Sequence, residues 1–153
     1  MASLRALQLP PAPEPEFLQL RYRPDLRTLA ARWQRPVSPA EFRQGYAAML
    51  AAAEVAGCWC WLVDLRSRTA PAEAEFHWFM ADFLPRLPGR LGGGVCLGML
   101  LPPNFAVPPG PEPDAHALVP GLLVRDFSHE GDLMAWLTHC RRPSEPLAGA
   151  GRL

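Results

Sequence analysis

An unbroken run of apolar and thiol side chains, Cys58 to Val63 followed by Asp64, constrains the fold more than any other stretch. A strand with one buried face alternates apolar and polar residues, so a continuous run indicates a strand covered on both faces. This pattern predicts a central strand of an α/β domain, with Asp64 at its carboxyl end. In open α/β sheets, ligands and partners meet the fold at that end.

Patterns on both sides of this run predict the remaining elements. A capping box at Ser38 and Glu41 opens a helix, and apolar residues at helical spacing follow it. The expected order is two strands, helix, strand, helix, strand, loop, strand and helix. The expected bounds are a hairpin over 17–33, a helix over 38–57, the central strand over 58–64, a helix from Ala70, strands over 95–101 and 122–124, and a last helix capped by Ser128. The predicted fold class is therefore α/β: a single five-stranded mixed β-sheet with an N-terminal hairpin and three main helices.

The length of 153 residues corresponds to one domain. Proline-rich, weakly apolar ends predict a flexible N-terminal arm over residues 1–15 and a flexible tail over residues 143–153, on either side of a single domain at residues 16–142. Seven prolines between residues 102 and 121 predict a surface loop. The sequence has no signal peptide and no apolar stretch near the ~20 residues of a spanning helix, which predicts a cytoplasmic location and no membrane contact.

Charge and residue types exclude several functions. Fifteen basic residues balance fifteen acidic ones, so no net field favours nucleic acid. All the basic residues are arginines, and the absence of lysine excludes Schiff-base chemistry and a P-loop. The four cysteines lack metal-ligand spacing, and we expect them to be small buried thiols in a reducing compartment. No metal and no cofactor are predicted.

The order of elements resembles the STAS-like superfamily, the fold of bacterial anti-sigma-factor antagonists, and within it a group of small uncharacterised bacterial proteins. The segments that carry the resemblance are the hairpin ending at Trp33, the helix from Ser38, and residues 61–66, 83–87 and 124–137. The resemblance implies a STAS-like fold and a non-catalytic regulatory role. In the antagonists a serine is phosphorylated in a D-S-x-G-like turn after the central strand. Here the turn over residues 64–69 lacks the glycine and carries Ser67 between two arginines, so Ser67 is the candidate phosphorylation site.

Two classes of function stay open at this stage. The first is a non-catalytic regulatory or protein-interaction domain of unknown partner, with self-association possible, because no nucleophile elbow or metal-ligand spacing is present. The alternative is a small anionic-ligand-binding protein with a site at the carboxyl ends of the central strands. In both cases the predicted site lies where Asp64, Arg66, Arg68 and the helix start at Ser128 converge. Arginine forks and unpaired helix amides suit phosphate or carboxylate groups.

Overall fold

The computed structural model describes residues 15–69, 71–102 and 116–140. These residues form one six-stranded sheet with helices on both faces. The strands are β1 (Leu18–Arg23), β2 (Thr28–Trp33), β3 (Cys60–Asp64), β4 (Val95–Leu100), β5 (His116–Val119) and β6 (Leu122–Phe127). The α-helices are α1 (Pro39–Ala56), α2 (Glu73–Trp78), α3 (Leu87–Leu91) and α4 (Glu130–His139).

The sheet has a parallel centre and antiparallel edges. Its strand order is β1-β2-β3-β4-β6-β5, in which β2, β3, β4 and β6 are parallel neighbours. Strand β1 pairs antiparallel with β2, and β5 pairs antiparallel with β6. The mixed α/β sheet and the N-terminal hairpin are thus confirmed. The predicted strand over residues 58–64 is central as expected, but it begins two residues later, at Cys60.

Strand β5 was not predicted. It spans only four residues, His116–Val119, inside the stretch expected to be a loop. The sequence of β5 has no clear strand pattern, and its hydrogen bonds to β6 hold it in the extended conformation. Short edge strands depend on such neighbours more than on the propensity of their own residues. The predicted arm through residue 14, the loop interior over 103–115 and the tail from residue 141 lie outside the described residues.

Helix α1 begins and ends as its sequence predicts. The backbone N–H of Glu41 donates to Ser38 Oγ (3.2 Å), and the N–H of Ser38 donates to Glu41 Oε1 (2.9 Å), which completes the capping box. Gly57 ends the helix in the left-handed conformation, with φ 64°. The chain therefore leaves α1 at Gly57, just before β3 begins at Cys60.

The second helical segment changes its hydrogen-bonding pattern along its length. Helix α2 leads into a π-helical turn over Phe79–Phe83, a 3₁₀ turn over Leu84–Arg86 and then α3. Pro85 has no N–H to donate, so a regular α-helical ladder cannot pass through it. Pro88 lies in the first turn of α3, where a missing N–H is tolerated. The two prolines interrupt the α-helix without ending the helical path.

Both faces of β3 are covered, as its composition requires. Trp61 and Val63 are fully buried in the core beneath α1 and the second helical segment. Cys60 and Leu62 are buried in a second core with Leu133 of α4. The side chains of one strand alternate between the two cores, which explains why the run contains no polar residue before Asp64.

The cysteine prediction is wrong for two of the four residues. Cys96 of β4 and Cys140, just after α4, form a disulfide across 44 residues of sequence. Cys58 and Cys60 are buried free thiols, as expected. The spacing of the cysteines in the sequence could not predict this pairing, because the bond depends on the packing of α4 over β4.

Candidate functional site

Asp64 ends β3 at the carboxyl edge of the sheet, opposite Arg32 in the register with β2. Its carboxylate accepts hydrogen bonds from the backbone N–H of Arg66 (3.0 Å) and from Arg66 Nε and Nη2 (3.0 and 2.8 Å). It also accepts one from Arg32 Nη1 (2.8 Å). Asp64 is therefore anchored by two arginines at a buried position.

Glu130, the first residue of α4, completes this cluster. Its carboxylate accepts hydrogen bonds from Arg32 Nη1 and Nη2 (3.1 and 2.8 Å) and from Arg66 Nη2 (3.3 Å). We call Arg32, Asp64, Arg66 and Glu130 the carboxyl-edge network. Its two guanidinium groups and two carboxylates cancel in formal charge, so it offers little attraction to a free anion. The network ties β2, β3 and α4 together.

Both acids of the carboxyl-edge network are held in the ionised form. Burial raises the pKa of Asp64, but the hydrogen bonds from Arg66 and Arg32 outweigh it, and the pKa lies below its usual value. The hydrogen bond from Arg32 lowers the pKa of Glu130 against a smaller opposing effect of burial. Both carboxylates are thus committed to structural ion pairs, which argues against a proton-transfer role for either.

Ser128 does not cap the last helix, so that prediction is wrong. Helix α4 begins at Glu130, and its N-cap residue is His129, whose side chain makes no capping hydrogen bond. The reason lies in β6, which runs to Phe127 instead of ending at Val124. The start of α4 does reach the predicted site, but it contributes Glu130 in place of Ser128.

Arg68 is not part of the carboxyl-edge network, because its side chain lies on the opposite face of the sheet, against Trp33 and Phe42. The turn after β3 is closed by a hydrogen bond from the Arg68 N–H to the Leu65 carbonyl (3.0 Å). Beyond this turn, the Arg68 guanidinium lies over the rings of Trp33 (4.5 Å) and Phe42 (4.7 Å), in the core beneath α1. The structure therefore brings together Asp64 and Arg66 but separates Arg68 from them.

The charge of Arg68 is buried without a carboxylate partner among the described residues. The side chain is 7% exposed, and Nη1 has no hydrogen-bond partner within that part of the chain. Burial lowers the pKa of Arg68, although an arginine keeps its proton at any physiological pH. The Tyr46 hydroxyl is hydrogen-bonded to Arg68 but does not neutralise it, because burial raises the pKa of Tyr46 to about 12. A buried cation without a counterion is costly, and such groups concentrate at functional sites.

Arg68 also lines a surface pocket between the start of α1 and the start of α2. The pocket has a volume of about 90 Å³. Its lining includes Val37, Ser38, Phe42, Arg68, Thr69 and Glu75. The sequence analysis identified Arg68 but missed its companions, which come from two stretches of the chain, residues 37–42 and 68–75. Of the other lining residues, Ser38 drew attention through its capping box, but that motif was interpreted only as the start of a helix.

Ser67 lies between the two diverging arginines. It is exposed in the turn that follows β3, at the carboxyl edge of the sheet. Its hydroxyl is thus on the surface, as a modified residue requires.

Comparison of this chain with family models, with curated proteins and with solved structures found no match. The fold and the pocket define the class that can be stated: a mixed-sheet α/β domain with an arginine-lined surface pocket. Within the described ranges, none of the helices has the length and apolar character needed to cross a membrane.

Proposed function

We propose that this chain is a non-catalytic binding domain that recognises an anionic group in the pocket lined by Arg68. One observation carries the proposal: Arg68, which is 7% exposed and whose buried Nη1 has no hydrogen-bond partner among the described residues, lines an open pocket. This favours the anion-binding alternative and moves the site from the carboxyl-edge network to the α1 side of the sheet.

The energetics of burial support this role. Removing a cation from water costs several kcal/mol, and a neighbouring countercharge repays part of that cost. The rings of Trp33 and Phe42 supply a cation–π attraction of roughly 0.5–2 kcal/mol each, which offsets the cost only in part. An anion in the pocket adds the missing countercharge. The described ion pairs leave Arg68 available for it, whereas Arg66 and Arg32 are already paired.

The substitution Arg68→Met tests the proposal. Acetate and inorganic phosphate are titrated into the full chain, and amide chemical shifts of Ser38 and Thr69 are followed by NMR. We expect saturable binding in the wild type and about tenfold weaker binding in R68M. The control, R21M, removes the same charge from an exposed position of β1 and should bind as the wild type does.

R68M should fold, since replacing a buried charge with an apolar side chain of similar size leaves stability unchanged or raises it by about 1–4 kcal/mol. Loss of binding in a variant at least as stable as the wild type separates recognition from structural support. A wild type that binds neither anion, or an R68M that binds both equally well, would overturn the proposal.

The exposed turn at Ser67 favours a second candidate function: a regulatory domain whose protein interactions are switched by phosphorylation of Ser67. The resemblance to anti-sigma-factor antagonists implies this role. A phosphoryl group on Ser67 would compete with Asp64 and Glu130 for the neighbouring Arg66 and so disturb the carboxyl-edge network. Mass spectrometry of the chain isolated from its own cells tests it. A phosphoryl group on Ser67 is expected, and its absence under all growth conditions would rule the switch out.

A cytoplasmic location remains part of the proposal, with a protein or a second copy of the chain as possible partner. The Cys96–Cys140 bond weighs against this location, because disulfides persist mainly in oxidising compartments. Acid quenching of intact cells, followed by alkylation of the free thiols in denaturant, decides the matter, because Cys58 and Cys60 are buried in the folded chain. Four labelled thiols would support the cytoplasm, and two would contradict it.

A further inference from the structure

The pocket at Arg68 contains a second charge of opposite sign. Glu75 of α2 lines the same pocket, is half-buried and forms no salt bridge within the described residues. Glu75 and Arg68 therefore face one pocket without neutralising each other through direct contact. The nearby carboxylate of Glu41 is different, because Arg35 donates two hydrogen bonds to it (3.1 and 3.0 Å). Of the charged side chains described around the pocket, Arg68 and Glu75 are the two left to pair with a ligand.

The remaining walls and the volume limit what fits between these two charges. Val37, Pro39, Phe42 and Pro71 line the pocket beside polar and charged residues, and the lining as a whole is slightly more polar than apolar. The Ser38 hydroxyl oxygen accepts the N–H of Glu41. A volume of about 90 Å³ corresponds to roughly six to nine water-sized groups. The pocket thus fits a small polar molecule.

We propose that the ligand is a small zwitterion of the amino-acid class, with its carboxylate at Arg68 and its ammonium group at Glu75. This inference rests on the proposed function and specifies its ligand. A ligand with one charge of each sign satisfies both side chains, whereas a dianion such as phosphate gains one attraction and meets one repulsion.

The test compares zwitterions with matched anions in the full chain. Glycine, β-alanine and γ-aminobutyrate are titrated beside propionate and inorganic phosphate, again by NMR. We expect at least one zwitterion to bind about tenfold more tightly than propionate. The substitution Glu75→Gln should weaken that zwitterion by about tenfold and strengthen propionate and phosphate. Glu73→Gln is the matched control, because Glu73 is an exposed acid of the same helix that does not line the pocket.

The outcomes separate this inference from the proposed function. If propionate or phosphate binds as tightly as every zwitterion, or if E75Q leaves zwitterion affinity unchanged, the zwitterion is the wrong ligand class. The Arg68 site still stands in that case, provided that R68M weakens anion binding about tenfold. If none of the five compounds binds, both proposals fail. A loss of zwitterion affinity in E73Q equal to that in E75Q would also overturn the inference, since it would reflect general surface charge.

Discussion

At the scale of single residues, Asp64 determines how the carboxyl edge of the sheet is held together. Its carboxylate accepts hydrogen bonds from the backbone N–H of Arg66 and from two guanidinium groups, that of Arg32 in β2 and that of Arg66 in the turn after β3. Its pKa is lowered, so the folded state favours the ionised form more than the unfolded state does. Such a group stabilises the protein above its unfolded pKa of about 4, and the contribution is lost as pH falls through the folded pKa.

We therefore predict that Asp64→Asn lowers the free energy of unfolding by about 1–3 kcal/mol at pH 7, since charged donors lose their partner. Between about pH 5 and pH 2 the variant should lose less stability than the wild type. Urea unfolding at a series of pH values measures both effects. Asp25→Asn is the control, because Asp25 pairs with Arg23 on an exposed surface. Equal pH slopes for D64N and the wild type would contradict this account.

At the scale of elements, the contact between α1 and β2 depends on Gly45. A Cβ atom at this position would lie 2.8 Å from Cζ3 of Trp33, which is closer than packed carbons approach. Trp33 is 1% exposed and is held by neighbouring aromatic rings, so it has little room to move. The helix therefore packs onto the strand only where a side chain is missing.

We predict that Gly45→Ala destabilises the protein by about 1–3 kcal/mol, because overpacking outweighs the gain in helix propensity. The control, Gly131→Ala in α4, should be neutral or stabilising, since a Cβ atom at that position would meet nothing within 4 Å. Thermal unfolding of both variants gives the comparison. If G45A raises the melting temperature as much as G131A does, the proposed close packing is wrong.

At the scale of the whole molecule, stability depends on the two cores that meet at β3. Leu62 is 1% exposed and lies in the core beneath α4. Its neighbours on both sides are parallel strands, so no edge gives a charge at this position access to water. Disruption here affects both halves of the sheet.

We predict that Leu62→Asp unfolds the domain. An unpaired buried charge costs several kcal/mol, and loss of the buried leucine side chain costs about 2–5 kcal/mol more, which together match a typical stability margin of about 5–15 kcal/mol. Val55→Asp is the matched control, because Val55 is 49% exposed on α1 and should tolerate the change. Circular dichroism with a thermal ramp distinguishes them, and a folded L62D with an unchanged melting temperature would refute the central role of β3.

The sequence alone determined the elements whose signals are local. The apolar run identified β3 as a central strand, and Ser38 with Glu41 identified the start of α1. Both signals depend only on residues that are close together in the sequence. Asp64 and Arg66 were placed together correctly, since they are two residues apart at a strand end. These features need no knowledge of the rest of the fold.

Tertiary structure decided what depends on contacts between distant segments. Glu130 contacts the carboxyl-edge network because α4 begins beside β3. Cys96 forms a disulfide with Cys140 because α4 lies over β4. The direction of Arg68 was set by a turn hydrogen bond and by the rings of α1 and β2 that receive it. Periodicity indicates which residues are buried, but the pairing of charges across elements follows from packing geometry, which no single segment encodes.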